Sequence, residues 1–193
     1  MVPYFPEPLQ NADVSILVWI QEHLVNPVCD VFFSLITHLG DSGIFWILAA
    51  LMLVCFKRTR KTGLMVGTAL LLGLIFGNGI LKNLFARVRP YDLENAFRTE
   101  TLVKKPSDWS FPSGHTLASF EAATVLMLRD KRFGIPALVL AILIAFSRLY
   151  LYIHFPSDVL AGLLLGILFG FCGVWIVGAI WKYFENRAKK PLK

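Results

Sequence analysis

Long stretches without a charged side chain dominate this chain and limit what it can fold into. Four stretches contain no Asp, Glu, Lys or Arg, and a fifth is interrupted only by Glu121. They are Ser42–Phe56, Thr62–Leu81, Phe133–Ser147, Val159–Trp181 and Thr116–Leu128. A helix needs about 20 apolar residues to cross about 30 Å of hydrocarbon. Two stretches have that length alone and three need flanking residues, so the pattern predicts an all-α, polytopic transmembrane helical bundle.

Composition argues against a soluble protein. Only 17% of the residues are charged and 56% are hydrophobic, whereas a soluble domain carries about 25% charged residues. A soluble fold would need nearly every helix to be apolar on all sides. The three cysteines, Cys29, Cys55 and Cys172, are odd in number and widely spaced. This spacing fits neither a disulfide framework nor a metal site, so we expect small buried hydrophobic side chains.

The N-terminal region differs from the later stretches because apolar and polar residues alternate in it. Segments Val14–Leu24 and Pro27–Leu39 are too short and too polar for clear membrane spans, and we expect interfacial helices there. Met1–Asp13 is acidic and proline-rich, without the pattern of a cleavable signal peptide. We therefore predict a single domain over 1–193, with an interfacial segment 1–40, a bundle of about five to six spans over 41–182, and a basic cytoplasmic tail over 183–193.

The net charge of +6 is concentrated in three clusters rather than spread over a surface for nucleic acid. The clusters lie at 57–61, 129–132 and 182–193, all on one side if about five spans alternate. Short basic loops mark the cytoplasmic side of a membrane. We therefore predict a multi-pass protein of the cell membrane, with the connections 87–111 and 149–158 on the extracytoplasmic side.

The first polar group at that side contains Lys82 and Arg89. These residues are seven apart, so a continuous helix would place them on one face, with Arg87 about 140° away from Lys82. Two cations on one face at a helix end make an anion site. Taken alone, the pair is better explained by Lys and Arg reaching to lipid headgroups.

The second group is the segment Phe111–His115, which leads into an apolar stretch. Ser113 can cap the following helix, and Gly114 lets the backbone approach a ligand closely. The free N–H groups of a first helical turn favour a phosphate, and His115 could donate a proton to a leaving oxygen. An ordinary helix cap beside an interfacial histidine would have the same sequence.

The third group joins Arg148 to His154 and Asp158. The guanidinium of Arg148 matches phosphate oxygens. Pro156 suits the first turn of the last helix, which brings Asp158 close enough to orient the His154 ring and increase its nucleophilicity. A capped turn with an unrelated histidine remains the alternative for this segment alone.

The three groups together favour phosphoryl transfer by positioning and electrostatics. They fall on the same predicted side, at the ends of helices, and supply three cations, two histidines and one orienting acid. The sequence offers no cluster of cysteines or carboxylates for a metal ion. We expect neither a metal nor another cofactor.

The chain resembles the type 2 phosphatidic acid phosphatase superfamily, whose signature is K-x6-RP, PSGH and SR-x5-H-x3-D. All three elements are present, at Lys82–Pro90, Pro112–His115 and Ser147–Asp158. The resemblance implies that His154 attacks phosphorus, Asp158 supports it and His115 protonates the leaving oxygen. It also implies a set of groups that hold the phosphoryl oxygens: Lys82, Arg89, Ser113, Gly114 and Arg148.

The resemblance implies a lipid phosphate in the bilayer as substrate, and it leaves several alternatives. Undecaprenyl diphosphate is favoured, because small size and an outward-facing site are typical of compact bacterial members. Phosphatidylglycerophosphate or phosphatidate is the second choice. A vanadium haloperoxidase shares the motifs but is large and soluble, and a lipid transporter or scaffold would not need an intact site. The sequence indicates no oligomeric state, and Glu121 either lines a lipid channel or pairs with a buried donor.

Overall fold

The computed structural model describes residues 5–188, in which helices are the only regular secondary structure. The helices are α1 (Glu7–His23), α2 (Pro27–His38), α3 (Ile44–Cys55), α4 (Arg60–Leu72), α5 (Lys82–Phe85), α6 (Gly114–Arg129), α7 (Lys131–Tyr150) and α8 (Pro156–Ala188). A π-helix, Gly73–Leu81, joins α4 to α5 without a break. The predicted all-α bundle is confirmed.

Among residues 5–188, four helical stretches are long and apolar enough to cross a membrane: 27–55, 60–92, 131–150 and 156–188. The first joins α2 to α3 through the turn Gly40–Gly43, where Ser42 and Gly43 have positive φ angles of 51° and 65°. Helix α2 thus belongs to a stretch that could cross a membrane. The interfacial location of α1 and α2 stays a prediction. Of the predicted tail, residues 183–188 continue α8, and 189–193 lie outside the described residues, as do 1–4.

Helix α6 occupies the middle of the bundle and packs against α7 and α8. It has 16 residues, about 24 Å at 1.5 Å per residue, and most of its side chains are buried. Gly162 and Gly166 of α8 lie against its backbone: a Cβ atom there would come 2.7 Å from the carbonyl oxygens of Ser113 and Leu117. Small residues thus allow α6 and α8 to pack closely.

The two ends of the bundle differ in character. At one end, Lys61 lies 5.6 Å from the ring centre of Trp181, which brings the start of α4 and the final third of α8 together. The motif-bearing connections lie at the other end, where the loop 151–155 is buried under α1. Cys55 is exposed and the other two cysteines are half-buried, so the prediction of buried cysteines is wrong for Cys55, which ends α3 on its outer face.

Candidate active site

The predicted nucleophile, His154, lies in the buried loop between α7 and α8. Its Nδ1 atom is 3.5 Å from Oδ2 of Asp158 and 3.4 Å from Oγ of Ser110. Asp158 stands in the first turn of α8 because Pro156 begins that helix. Its Oδ2 accepts hydrogen bonds from the Ser110 hydroxyl (2.5 Å) and the Phe155 amide (2.9 Å). The carboxylate is thus fixed beside the ring at ion-pair distance.

The other ring nitrogen of His154 faces the cations. Its Nε2 atom is 3.2 Å from Nη1 of Arg89, which also donates to the Ile153 carbonyl. Burial lowers the pKa of His154 well below its usual value, and the charges of Arg89 and Arg148 act in the same direction. A neutral imidazole with Nε2 unprotonated has the lone pair that a nucleophile needs.

Lys82 and Arg89 converge, but not in the predicted way. Helix α5 ends at Phe85 and the chain turns at Ala86, where φ is 41°, so the prediction of one shared helical face is wrong. The two cations meet instead on Asp108, a residue that the sequence motifs do not include. Arg89 Nη2 donates to Asp108 Oδ1 at 2.6 Å, and Lys82 donates to Oδ2.

Asp108 is half-exposed at the mouth of the site. Partial burial acts to raise the pKa of Asp108, but the hydrogen bond from Lys82 and the charges of Lys82 and Arg89 outweigh burial, so the pKa lies below its usual value. Asp108 is therefore an anion, held by two of the groups predicted to hold phosphate.

The segment 113–115 begins α6 next to these groups. Ser113 is the N-cap by position, but its side chain makes no capping hydrogen bond, so that prediction is wrong. Its hydroxyl instead accepts from Thr116 (3.0 Å), and its amide donates to the Asp158 carbonyl (3.1 Å). Gly114 leaves space for Asn78, whose Oδ1 would lie 2.9 Å from a Cβ atom at 114.

His115 contacts the turn that follows α2, and Arg148 contacts the last turn of α2 itself. Nε2 of His115 is 2.9 Å from Oδ1 of Asp41. Arg148 is fully buried near the end of α7 and donates through Nη1 to the Thr37 hydroxyl at 2.5 Å. Neither Thr37 nor Asp41 belongs to the motifs.

Arg87 was expected to point away from the site, yet it is buried against Asp158. Its Nη1 donates to Asp158 Oδ1 at 2.6 Å, and its Nη2 donates to Asp13 Oδ2 at 2.7 Å. The guanidinium lies 3.9 Å from the ring centres of both Phe5 and Phe155. Asp13 lies in a polar stretch of α1, so no sequence signal marks it as the partner of Arg87.

A cavity of about 1280 Å³ opens at His154, His115 and Asp108 and continues between α3, α4 and α6. At the site its wall includes both histidines and the three predicted cations, and deeper it includes Leu64, Gly67 and Glu121. Glu121 is buried and its Oε1 has no hydrogen-bond partner among the described residues. Glu121 therefore lines this cavity, and pairing with a buried donor stays the open alternative.

Metal ligands are not grouped in residues 5–188: no three His, Cys, Asp or Glu side chains there could hold one ion. Independence of metals stays a prediction. The described groups can fix an anion with three cations, supply a neutral imidazole beside it and offer a second imidazole for proton transfer.

Comparison with known proteins identifies relatives along most of the chain. An undecaprenyl-diphosphatase of Sulfolobus acidocaldarius is 38% identical over 68% of this chain and 63% of its own length, so the chain spans less than two thirds of that relative. Phosphatidylglycerophosphatase B of Bacillus subtilis is 35% identical over 94% of this chain and 87% of its own.

Solved structures agree with these matches. A transmembrane PAP2-type phosphatidylglycerolphosphate phosphatase from Bacillus subtilis superposes with a TM-score of 0.70 and 26% identity, covering 97% of this chain and 90% of its own. Aquifex aeolicus LpxE gives 0.73 and 29%, covering 90% and 98%. The PAP2 superfamily model matches residues 60–182, and the chain belongs to that superfamily.

Proposed function

We propose that this protein hydrolyses a lipid phosphate or diphosphate through a phosphohistidine formed on His154. The observation that carries the proposal is the setting of the His154 ring. Its Nε2 faces Arg89 and its Nδ1 faces Asp158, inside a cavity that also exposes Lys82 and Arg148. A phosphoryl group in that position would contact the nucleophile and the cations at once.

In the first step, Nε2 of His154 attacks phosphorus, the N–P bond forms and the bond from phosphorus to the leaving oxygen breaks. His115 gives its proton to that oxygen, so the lipid leaves as an alcohol or a monophosphate. Lys82, Arg89 and Arg148 hold the phosphoryl oxygens with the Ser113–Gly114 segment, because developing charge is best stabilised by fixed donors. Asp158 holds the proton on Nδ1 and supports the positive ring.

In the second step, water attacks the phosphohistidine. His115 now accepts the proton from the water, the N–P bond breaks, and inorganic phosphate leaves with His154 neutral again. His115 thus acts first as an acid and then as a base, and the second step restores the proton that it lost in the first.

The substrate that we favour is undecaprenyl diphosphate, on the extracytoplasmic side of the cell membrane. Support comes from the relative of Sulfolobus acidocaldarius and from the undecaprenyl-diphosphatase BcrC of Bacillus subtilis, which is 30% identical over 76% of this chain. Phosphatidylglycerophosphate is the second candidate, because phosphatidylglycerophosphatase B covers more of the chain. The long apolar cavity would suit either lipid.

Purified protein in detergent tests this proposal. We expect phosphate release from undecaprenyl diphosphate to exceed release from phosphatidylglycerophosphate, to continue in EDTA and to be inhibited by vanadate, which mimics five-coordinate phosphorus. His154→Ala is the matched control and should abolish release from both lipids. Faster release from phosphatidylglycerophosphate would make that lipid the favoured substrate. Loss of activity in EDTA, restored by magnesium, would contradict the mechanism.

A further inference from the structure

The segment before residue 60 lies outside the superfamily match, yet it reaches the site at three points. Asp13 contacts Arg87, Thr37 contacts Arg148, and Asp41 contacts His115. Arg87 is also held by Asp158, and Arg148 is buried near the end of α7. Asp41 is different, because it bonds directly to a ring nitrogen of the predicted acid.

The turn Gly40–Gly43 is shaped around the His115 ring. A Cβ atom at residue 40 would lie 2.6 Å from Cδ2 of His115, so only glycine permits the ring to lie against the backbone. Ser42 and Gly43 follow with φ angles of 51° and 65°. A left-handed conformation at a non-glycine residue is costly and persists where the surroundings fix it. The turn therefore places Asp41 at the edge of the ring.

We propose that Asp41 is a positioning residue for His115, as Asp158 is for His154. Its Oδ1 accepts the Nε2–H of His115 at 2.9 Å, and its Oδ2 faces Nδ1 of His38 at 2.8 Å. A carboxylate on Nε2 fixes that proton and leaves Nδ1 to exchange the catalytic proton. The ring is then held in one orientation, in the tautomer that can give a proton to the leaving oxygen and later remove one from water.

This arrangement gives each imidazole of the site its own carboxylate. His154 needs one to stabilise its positive form after attack. Burial and the charge of Arg148 lower the pKa of His115, and the hydrogen bond and charge of Asp41 act in the opposite direction. A histidine facing cations loses its proton readily, and an adjacent carboxylate opposes that loss. The N-terminal segment thereby supplies a part of the acid–base machinery that residues 60–182 lack.

The inference rests on the proposed function, and its test compares two leaving groups in the full-length protein. We expect Asp41→Asn to slow phosphoenzyme formation from a lipid phosphate by about 10- to 100-fold, less than the 10²–10⁴-fold of general acid catalysis as a whole. Phosphoenzyme formation from p-nitrophenyl phosphate should slow by under about threefold, because a phenolate of low pKa needs little protonation. Hydrolysis of the phosphoenzyme, which also uses His115, should slow equally with both substrates. Asp41→Glu should recover part of the activity on the lipid.

Asp30→Asn is the matched control: it neutralises an acid of α2 that accepts from the Tyr150 hydroxyl and contacts no group of the site. It should leave both activities unchanged. In the double variant with His115→Ala, Asp41→Asn should add no further loss, because the residue acts through that ring. Equal slowing of phosphoenzyme formation from both substrates, or additive losses in the double variant, would overturn the inference.

These outcomes are separate from failure of the proposed function. If His154→Ala kept its activity, the phosphohistidine mechanism itself would be wrong. If His154→Ala were inactive and Asp41→Asn lost activity independently of His115, the mechanism would stand and the role of Asp41 would fall. Thermal unfolding in detergent checks that each variant is folded.

Discussion

The Asp158 carboxylate illustrates how single residues keep this site in place. Oδ2 is held by Ser110 and the Phe155 amide, and Oδ1 is held by Arg87. Arg87 is in turn held by Asp13 of α1. A chain of buried charges therefore runs from the N-terminal helix to the group that orients His154. Each charged group is stabilised by its neighbour in place of water.

Asp13→Asn should interrupt this chain. The amide would turn an NH₂ group or a neutral oxygen toward Arg87 and leave that guanidinium with one carboxylate instead of two. Breaking a buried ion pair typically costs about 3–5 kcal/mol, so we expect a lower melting temperature in detergent and a lower kcat. Glu7→Gln, at an exposed position of the same helix, is the control. Unchanged stability and kcat would mean that Arg87 is positioned without Asp13.

At the residue level, the motifs predicted which groups meet but not what holds them. The spacing of His154 and Asp158 needs only one helical turn beginning at Pro156, so their contact could be predicted. Asp41, Arg87 and Asp108 could not be found in this way. Their locations depend on turns at Ala86 and Gly40–Gly43 and on long-range packing, which no local pattern encodes.

Two elements, the π-helix and the connection 93–113, determine the shape of the site. The i→i+5 bonding of a π-helix brings Gly73 and Asn78 to the same cavity wall as Lys82. The sequence predicted a helix here from its apolar character, which is insensitive to the difference between α and π geometry. The connection 93–113 then places Asp108 on Lys82 and Arg89, where the predicted phosphate would bind.

Asp108 and a phosphate should therefore compete. In Asp108→Asn the two cations lose their anionic partner, so we expect inorganic phosphate to inhibit at about tenfold lower concentration. This change is roughly the worth of one charge-assisted hydrogen bond. The measurement is the inhibition constant of phosphate, with Glu94→Gln, an exposed acid of the same connection, as control. Weaker inhibition would mean that Asp108 organises the cations rather than occupying their binding site.

The two ends of the bundle differ. The end with the motif-bearing connections is called the chemical end, and the end with the basic loops is called the basic end. All the described site residues lie at the chemical end, under α1 and the turn before α3, whereas Lys61 and Trp181 meet at the opposite end. The alternation of apolar stretches and basic loops was enough to predict this polarity. It could not predict that the N-terminal segment packs on the site, because that packing depends on tertiary contacts such as Gln21 with the Tyr150 carbonyl.

Sidedness can be measured with single cysteines in a variant lacking the native cysteines at 29, 55 and 172. Thr99→Cys lies on the exposed connection at the chemical end, and Lys57→Cys lies at the basic end. In intact cells, an impermeant thiol reagent should label the first and not the second, because basic loops stay in the cytoplasm. Both should be labelled after permeabilisation. The opposite pattern would place the site on the cytoplasmic side.

The central claim is that His154 carries the phosphoryl group and His115 moves the proton, and acid-quenched phosphoenzyme tests it most directly. With labelled lipid phosphate, His154→Ala should give no phosphohistidine. His115→Ala should form it slowly from the lipid, form it readily from p-nitrophenyl phosphate, and accumulate it, because water then lacks a base. Phosphohistidine in His154→Ala, together with its absence in His115→Ala, would reverse the two assignments and contradict this account.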